Sequence, residues 1–141
     1  MKREYLELLI NLSAKAYSED ESPIAAIIVK DGEIISQAHN QRNSTNSTIS
    51  HAEIIAITEA NRKLENWRLN NCTMYVTVQP CEMCQTVIKE ARIEKVFYIV
   101  DRDVIKKQHS KTLFVKCANE IDNSVVTDYK NLLADFWKNK R

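Results

Sequence analysis

Glycine is almost missing from this sequence. Gly32 is the only one in 141 residues, and proline occurs only at Pro23 and Pro80. So few chain breakers exclude a long flexible linker and favour one compact domain spanning 1–141. No apolar run approaches the length of a membrane span. The N-terminus alternates charged and apolar residues without a hydrophobic signal core, so neither secretion nor membrane insertion is expected. The formal net charge is only +1, which neither requires nor excludes a nucleic-acid partner. A chain of this length buries about two thirds of its unfolded surface, so its four cysteines are not needed as staples. In the reducing cytoplasm expected for such a protein, closely spaced cysteines point to metal more often than to disulfides.

What is present reads as alternating strands and helices. Leu6, Leu9, Ile10, Ser13, Ala14 and Tyr17 recur at helical spacing. Ile24–Val29 is a short apolar strand, and Asp31-Gly32 is a strong turn into a second strand over Glu33–Ala38. Asn40–Ser50, rich in Asn, Ser and Thr, reads as a loop. A helix is expected from His51 to Leu64, a strand over Thr73–Val78, a helix from Cys81 to about Ala91, and a strand over Lys95–Val100. That last strand is apolar almost throughout, as if buried on both faces. Between Arg102 and Thr127 only Leu113–Val115 and Val125–Val126 offer weak strand signals. Tyr129, Leu132, Leu133, Phe136 and Trp137 mark a last amphipathic helix. The order predicts an α/β fold of three layers, a mixed sheet of about five strands flanked by helices.

Two clusters carry chemistry: His51-Ala52-Glu53 and Pro80-Cys81-Glu82-Met83-Cys84. A C-x-x-C pair at a helix start brings both sulfurs to one point, and the helix N-terminus favours their thiolates. Two thiolates and an imidazole suit one zinc ion per chain. Three protein ligands leave the fourth position open, the pattern of a catalytic site. Glu53, two residues after His51, would then stand beside that position as a proton carrier. Each piece has a plainer reading. The cysteines could be a redox pair, His51 a surface residue, and Glu53 the partner of Ser50 in an S-x-x-E capping box. The conjunction of H-x-E and P-C-x-x-C is, however, the signature of the zinc deaminases of cytosine and adenine.

Further stretches sharpen this. Pro23-Ile-Ala-Ala-Ile-Ile-Val-Lys-Asp-Gly32, His39-Asn40, His51-Ala-Glu-Ile-Ile-Ala-Ile57, Met74-Tyr-Val-Thr-Val-Gln-Pro-Cys-Glu-Met-Cys84 and Leu132-Leu-Ala-Asp-Phe136 together resemble the bacterial tRNA-specific adenosine deaminases, within the cytidine deaminase superfamily. The resemblance implies His51, Cys81 and Cys84 as zinc ligands and Glu53 as the proton shuttle. Asn40 would hydrogen-bond the target base, and the Ala52 backbone amide would help orient it. It implies hydrolysis of adenosine to inosine at the wobble position of a tRNA anticodon loop, by a homodimer; neither DNA nor a membrane is an expected partner.

The chain departs from that family in having Gln79 where Glu is usual, Ser50 where Ala is common, and no glycine-rich segment after Asp101. Those departures bear on substrate, so a deaminase of free guanine, cytosine or a nucleotide remains an alternative. A non-catalytic zinc module, its metal closed by Cys72 or Cys117, is the third reading. His39 is expected to be structural and His109 solvated.

Overall fold

The computed structural model describes residues 1–102 and 112–138; His109 lies outside them. The chain divides into two compact units, Met1–Lys106 and Lys107–Arg141.

In the first unit, helix α1 (Arg3–Ser18) leads into strands β1 (Ala25–Lys30) and β2 (Glu33–His39). A single turn of helix, α2 (Arg42–Thr45), precedes α3 (Ala52–Leu64), β3 (Cys72–Val78), α4 (Glu82–Glu90) and β4 (Lys95–Val100). The β1–β2 turn is tight because both of its residues take positive φ, Asp31 at 51° and Gly32 at 78°; this is the left-handed pair that a two-residue hairpin needs. The sheet order is β2-β1-β3-β4. β1 runs antiparallel to both neighbours and β4 parallel to β3, so the sheet is mixed.

Alternation along β1 separates two cores. Ala26 and Ile28 face one side, packed with Ala52, Ala56 and Ala60 of α3 and Ile88 of α4. Ala25, Ile27 and Val29 face the other, against Tyr5 and Leu9 of α1. A central strand buried on both faces must be apolar along its buried length, and β1 is apolar from Ala25 to Val29. The result is the expected three-layer α/β/α arrangement. Small alanines on α3 let that helix lie close to the strands.

Four differences from the sequence reading have physical causes. The sheet has four strands among the described residues, not about five: Leu113–Val115 joins no ladder, and Val125–Val126 is helical. In the second unit the Asp122 side chain accepts from the Ser124 amide and hydroxyl, which starts α5 at Asn123 and runs it to Lys138. That local cap overrides the weak strand preference of two valines. Strand β4 is not buried on both faces; Phe97 to Val100 are 42–48% exposed, and among the described residues β4 pairs with β3 alone. Helix α1 buries the stripe Tyr5, Leu9, Ser13 and Ala16 and leaves Leu6, Ile10 and Tyr17 outward. Tyr5 lies 5.1 Å from the Tyr75 ring, an aromatic anchor that selects this stripe over the neighbouring one. Finally, α2 forms inside the expected Asn40–Ser50 loop. No helix among the described residues is long and apolar enough to cross a membrane.

Candidate metal centre and active site

Helices α3 and α4 both follow the sheet's strands and start close together, so two helix N-termini converge. Each presents unpaired amides and a positive dipole end. His51 immediately precedes α3 in an extended conformation (φ −76°, ψ 148°) and makes no capping hydrogen bond of its own. Its ring is therefore available, and Nδ1 lies 3.3 Å from Cys84 Sγ and 3.7 Å from Cys81 Sγ. Cys81 caps α4, its sulfur accepting from the Cys84 amide at 3.5 Å. The C-x-x-C spacing thus turns both sulfurs inward.

The three donor atoms lie within 4.8 Å of one another. Tetrahedral zinc, with Zn–S about 2.3 Å and Zn–N about 2.0–2.1 Å, separates sulfur from nitrogen by about 3.6 Å. The observed separations bracket that value, so these residues fit a zinc ion without rearrangement. Cys72 cannot supply a fourth sulfur. It sits at the far end of β3, six residues or about 20 Å of strand from Val78, and its thiol donates to Asn70 O.

Protonation at the centre is shared. The Cys84 thiol donates to Cys81 and holds the latter's pKa down to about 3, with His51 adding to the effect against burial. Cys84 is correspondingly raised, by its bond to Cys81, by burial and by the Glu53 charge. One thiolate therefore exists without any metal, and a cation between the sulfurs releases the second proton. Glu53 is 3% exposed. Burial raises its pKa above the ordinary 4.5, although its own backbone amide, the Cys84 thiol and the His51 charge pull the other way. The capping-box reading of Glu53 fails: the helix cap is His51, and Ser50 instead accepts from the Thr45 hydroxyl.

Residues 1–100 match the family model of the cytidine and deoxycytidylate deaminase zinc-binding region. The chain belongs to this family. Its relatives include a tRNA-specific adenosine deaminase of Streptococcus pyogenes serotype M18 (strain MGAS8232), 45% identical over 94 residues. That match covers 67% of this chain, which spans only 59% of the relative's length. Among solved structures, one from work on A-to-I editing by tRNA:A34 deaminases at the wobble position superposes with a TM-score of 0.69 at 35% identity, covering 71% of this chain and 72% of the other. A guanine deaminase from Bacillus subtilis superposes with a TM-score of 0.74 at 26% identity, over 93% and 95% of the two chains.

In a zinc-binding region of this family, the surroundings of the metal matter as much as its ligands. Asn40, at the end of β2, is buried, and its Oδ1 accepts the Ala52 amide at 2.8 Å. The Ala52 N–H therefore serves to fix Asn40, and Asn40 is the group that offers a side-chain donor. Nδ2 makes no hydrogen bond among the described residues. Asn40 also lines a polar cleft of about 340 Å³. His39 is structural, its Nδ1 3.0 Å from Asn40 O and its Nε2 3.8 Å from Glu19. Gln79 Oε1 accepts the Arg102 amide at 3.2 Å, a bond that a glutamate would make equally well. Glu21 was not foreseen from the sequence. Its two oxygens take the amides of Asn43 and Ser44, and nothing in the periodicity of the chain marks that contact.

Proposed function

We propose that this chain is a zinc-dependent hydrolytic deaminase converting adenosine to inosine at the wobble position of a tRNA anticodon loop. The observation that carries the reading is a buried Glu53 packed against a His51–Cys81–Cys84 centre, with Asn40 tied to the residue between His51 and Glu53. Relatives named for tRNA adenosine deamination supply the substrate class. In this reading residues 1–141 serve a single deaminase, which works in the cytoplasm as a homodimer.

His51 Nδ1 and the two sulfurs would hold a zinc ion, which would supply the Lewis acidity that makes water nucleophilic at neutral pH. Glu53 takes one proton from water and delivers it to the ring nitrogen beside C6, then takes a second from the hydroxyl added at C6 and delivers it to the departing amine, so that adenosine and water give inosine and ammonia. Burial suits Glu53 to this cycle, because a carboxyl with a raised pKa is a better proton carrier near neutrality. Asn40 Nδ2 donates to an acceptor on the base edge, and the Ala52 amide keeps that side chain in place. A flipped base in a single-stranded loop costs little unstacking energy.

A second reading, deamination of free guanine, is favoured by one observation: the guanine deaminase superposes over nearly the whole chain. Incubating the protein separately with an anticodon stem-loop bearing a wobble adenosine and with free guanine separates the two. Inosine in the stem-loop supports the RNA substrate, and xanthine alone overturns it.

A further inference from the structure

The segment Asn40–Ser50 begins at one site residue and ends next to another, His51. Its composition gives it no core: α2 buries no residue, and Ile49 is exposed. Hydrogen bonds hold it instead. The Gln41 amide donates to Ser50 O at 2.9 Å, closing the loop at its base. The tip is held from another part of the chain. Glu21 follows the turn after α1, where Asp20 takes a positive φ of 59°. Its carboxylate accepts Asn43 N at 2.9 Å on one oxygen and Ser44 N at 2.7 Å on the other. Beside it, Asp20 O accepts from Asn43 Nδ2 at 2.6 Å, and Glu19 faces His39.

Gln41, before α2, makes no side-chain cap, so Glu21 does for this turn what an N-cap side chain normally does locally. Bonds from two amides to one carboxylate are charge-assisted and orient strongly. They and the Ser44 hydroxyl keep the Glu21 pKa low despite the opposing, larger single effect of desolvation. The same carboxylate, Asn40 and Arg42 line the polar cleft. A core residue would act through stability. Glu21 is itself buried, but the turn it holds adds no residue to either apolar core, so the clamp acts on the position of the cleft wall.

We propose that Glu21 is a positioning residue for substrate: by pinning the turn at Asn43 and Ser44 it holds the wall of the cleft beside Asn40 in the shape that receives the nucleotide carrying the target base. The substrate half of this statement rests on the deaminase reading above; the clamp itself does not.

The test compares the zinc-loaded full chain with Glu21→Gln, which is isosteric but offers one acceptor and turns an NH₂ towards the second amide, and with Glu21→Ala, which offers none. Amide hydrogen exchange is expected to quicken at least about tenfold at both Asn43 and Ser44 in Glu21→Ala and at one of the two in Glu21→Gln, the scale of one lost charge-assisted bond, with α3 and α4 unchanged and one zinc retained per chain. On the stem-loop with a wobble adenosine, KM rises about tenfold while kcat stays within about threefold, as expected for lost ground-state positioning. Unchanged exchange in Glu21→Ala overturns the clamp. A fall in kcat at constant KM, or loss of zinc, overturns the positioning role. Failure of the wild-type protein to deaminate the stem-loop counts against the RNA substrate alone, because the exchange measurement needs no substrate and still decides the clamp.

Discussion

Replacing Asn40 by alanine removes the acceptor for the Ala52 amide at one end of its carboxamide and, in the function proposed above, a donor to the base at the other. Oδ1 is the acceptor for the Ala52 amide at 2.8 Å, one of the N-terminal amides of α3 that has no partner within the helix. Ala52 is completely buried, so the Asn40→Ala protein leaves a buried donor unmet, at about 1–3 kcal/mol. Water entering through the cleft that Asn40 lines recovers part of this and sets the lower figure. Against a total stability of about 5–15 kcal/mol, the thermal midpoint of the zinc-loaded protein should fall by about 3–12 °C. On the proposed base contact, loss of the Nδ2 donor lowers kcat/KM about 10- to 100-fold. Asn40→Asp separates the two effects, because it keeps an acceptor for Ala52 but has no donor for the base. Its midpoint should lie closer to wild type than that of the alanine variant, with turnover equally impaired. Scanning calorimetry, zinc analysis and the stem-loop assay read these out. An Asn40→Ala protein that melts with the wild type refutes the stability argument, and one that loses zinc refutes the assignment of Asn40 to the base.

Other outcomes follow from the same geometry. Glu53→Gln should keep its fold and one zinc per chain while turnover falls about 10²- to 10⁴-fold, the range for a lost general acid–base; a variant within tenfold of wild type would remove Glu53 from the chemistry. Burial raises the folded pKa of Glu53 above 4.5, so below that pH the carboxyl is neutral in both states and costs nothing. As pH rises through the folded value the buried charge weakens the fold, and metal-free wild type should lose stability relative to Glu53→Gln, a difference that urea titrations at pH 4 and pH 8 would expose or exclude. Cys84→Ala should lose its metal, and X-ray absorption of the wild-type zinc should report two sulfurs, one nitrogen and one oxygen; three sulfurs would point to a structural site. Gln79→Glu should leave turnover within about threefold, because either side chain accepts the Arg102 amide.

Much of the fold could be read along the chain wherever a pattern is local. The hairpin is written in Asp31-Gly32, and β1 in the short apolar run that leads into it. The start of α4 is marked by Pro80 and Cys81. Reading failed where the decision lay between distant segments. Two apolar stripes run along α1, and the sheet face formed by Ala25, Ile27, Val29 and Tyr75 chooses between them. Strand β4 is as apolar as β1, yet it stands at an edge; composition does not say which strand has two neighbours.

The candidate site divides in the same way. Sequence alone named the donors, since C-x-x-C at a helix start brings its two sulfurs together within one turn and H-x-E places an imidazole and a carboxylate at the start of another helix. Tertiary structure decided that the two motifs, 30 residues apart between His51 and Cys81, meet at all: the β2-β1-β3 order sets the starts of α3 and α4 side by side. It also decided that the Ala52 amide is taken by Asn40, and that Glu21 reaches across 22 residues to Asn43. Such contacts have no period and no fixed spacing. They depend on where the folded backbone happens to place a carboxylate, and that position exists only after the sheet has formed.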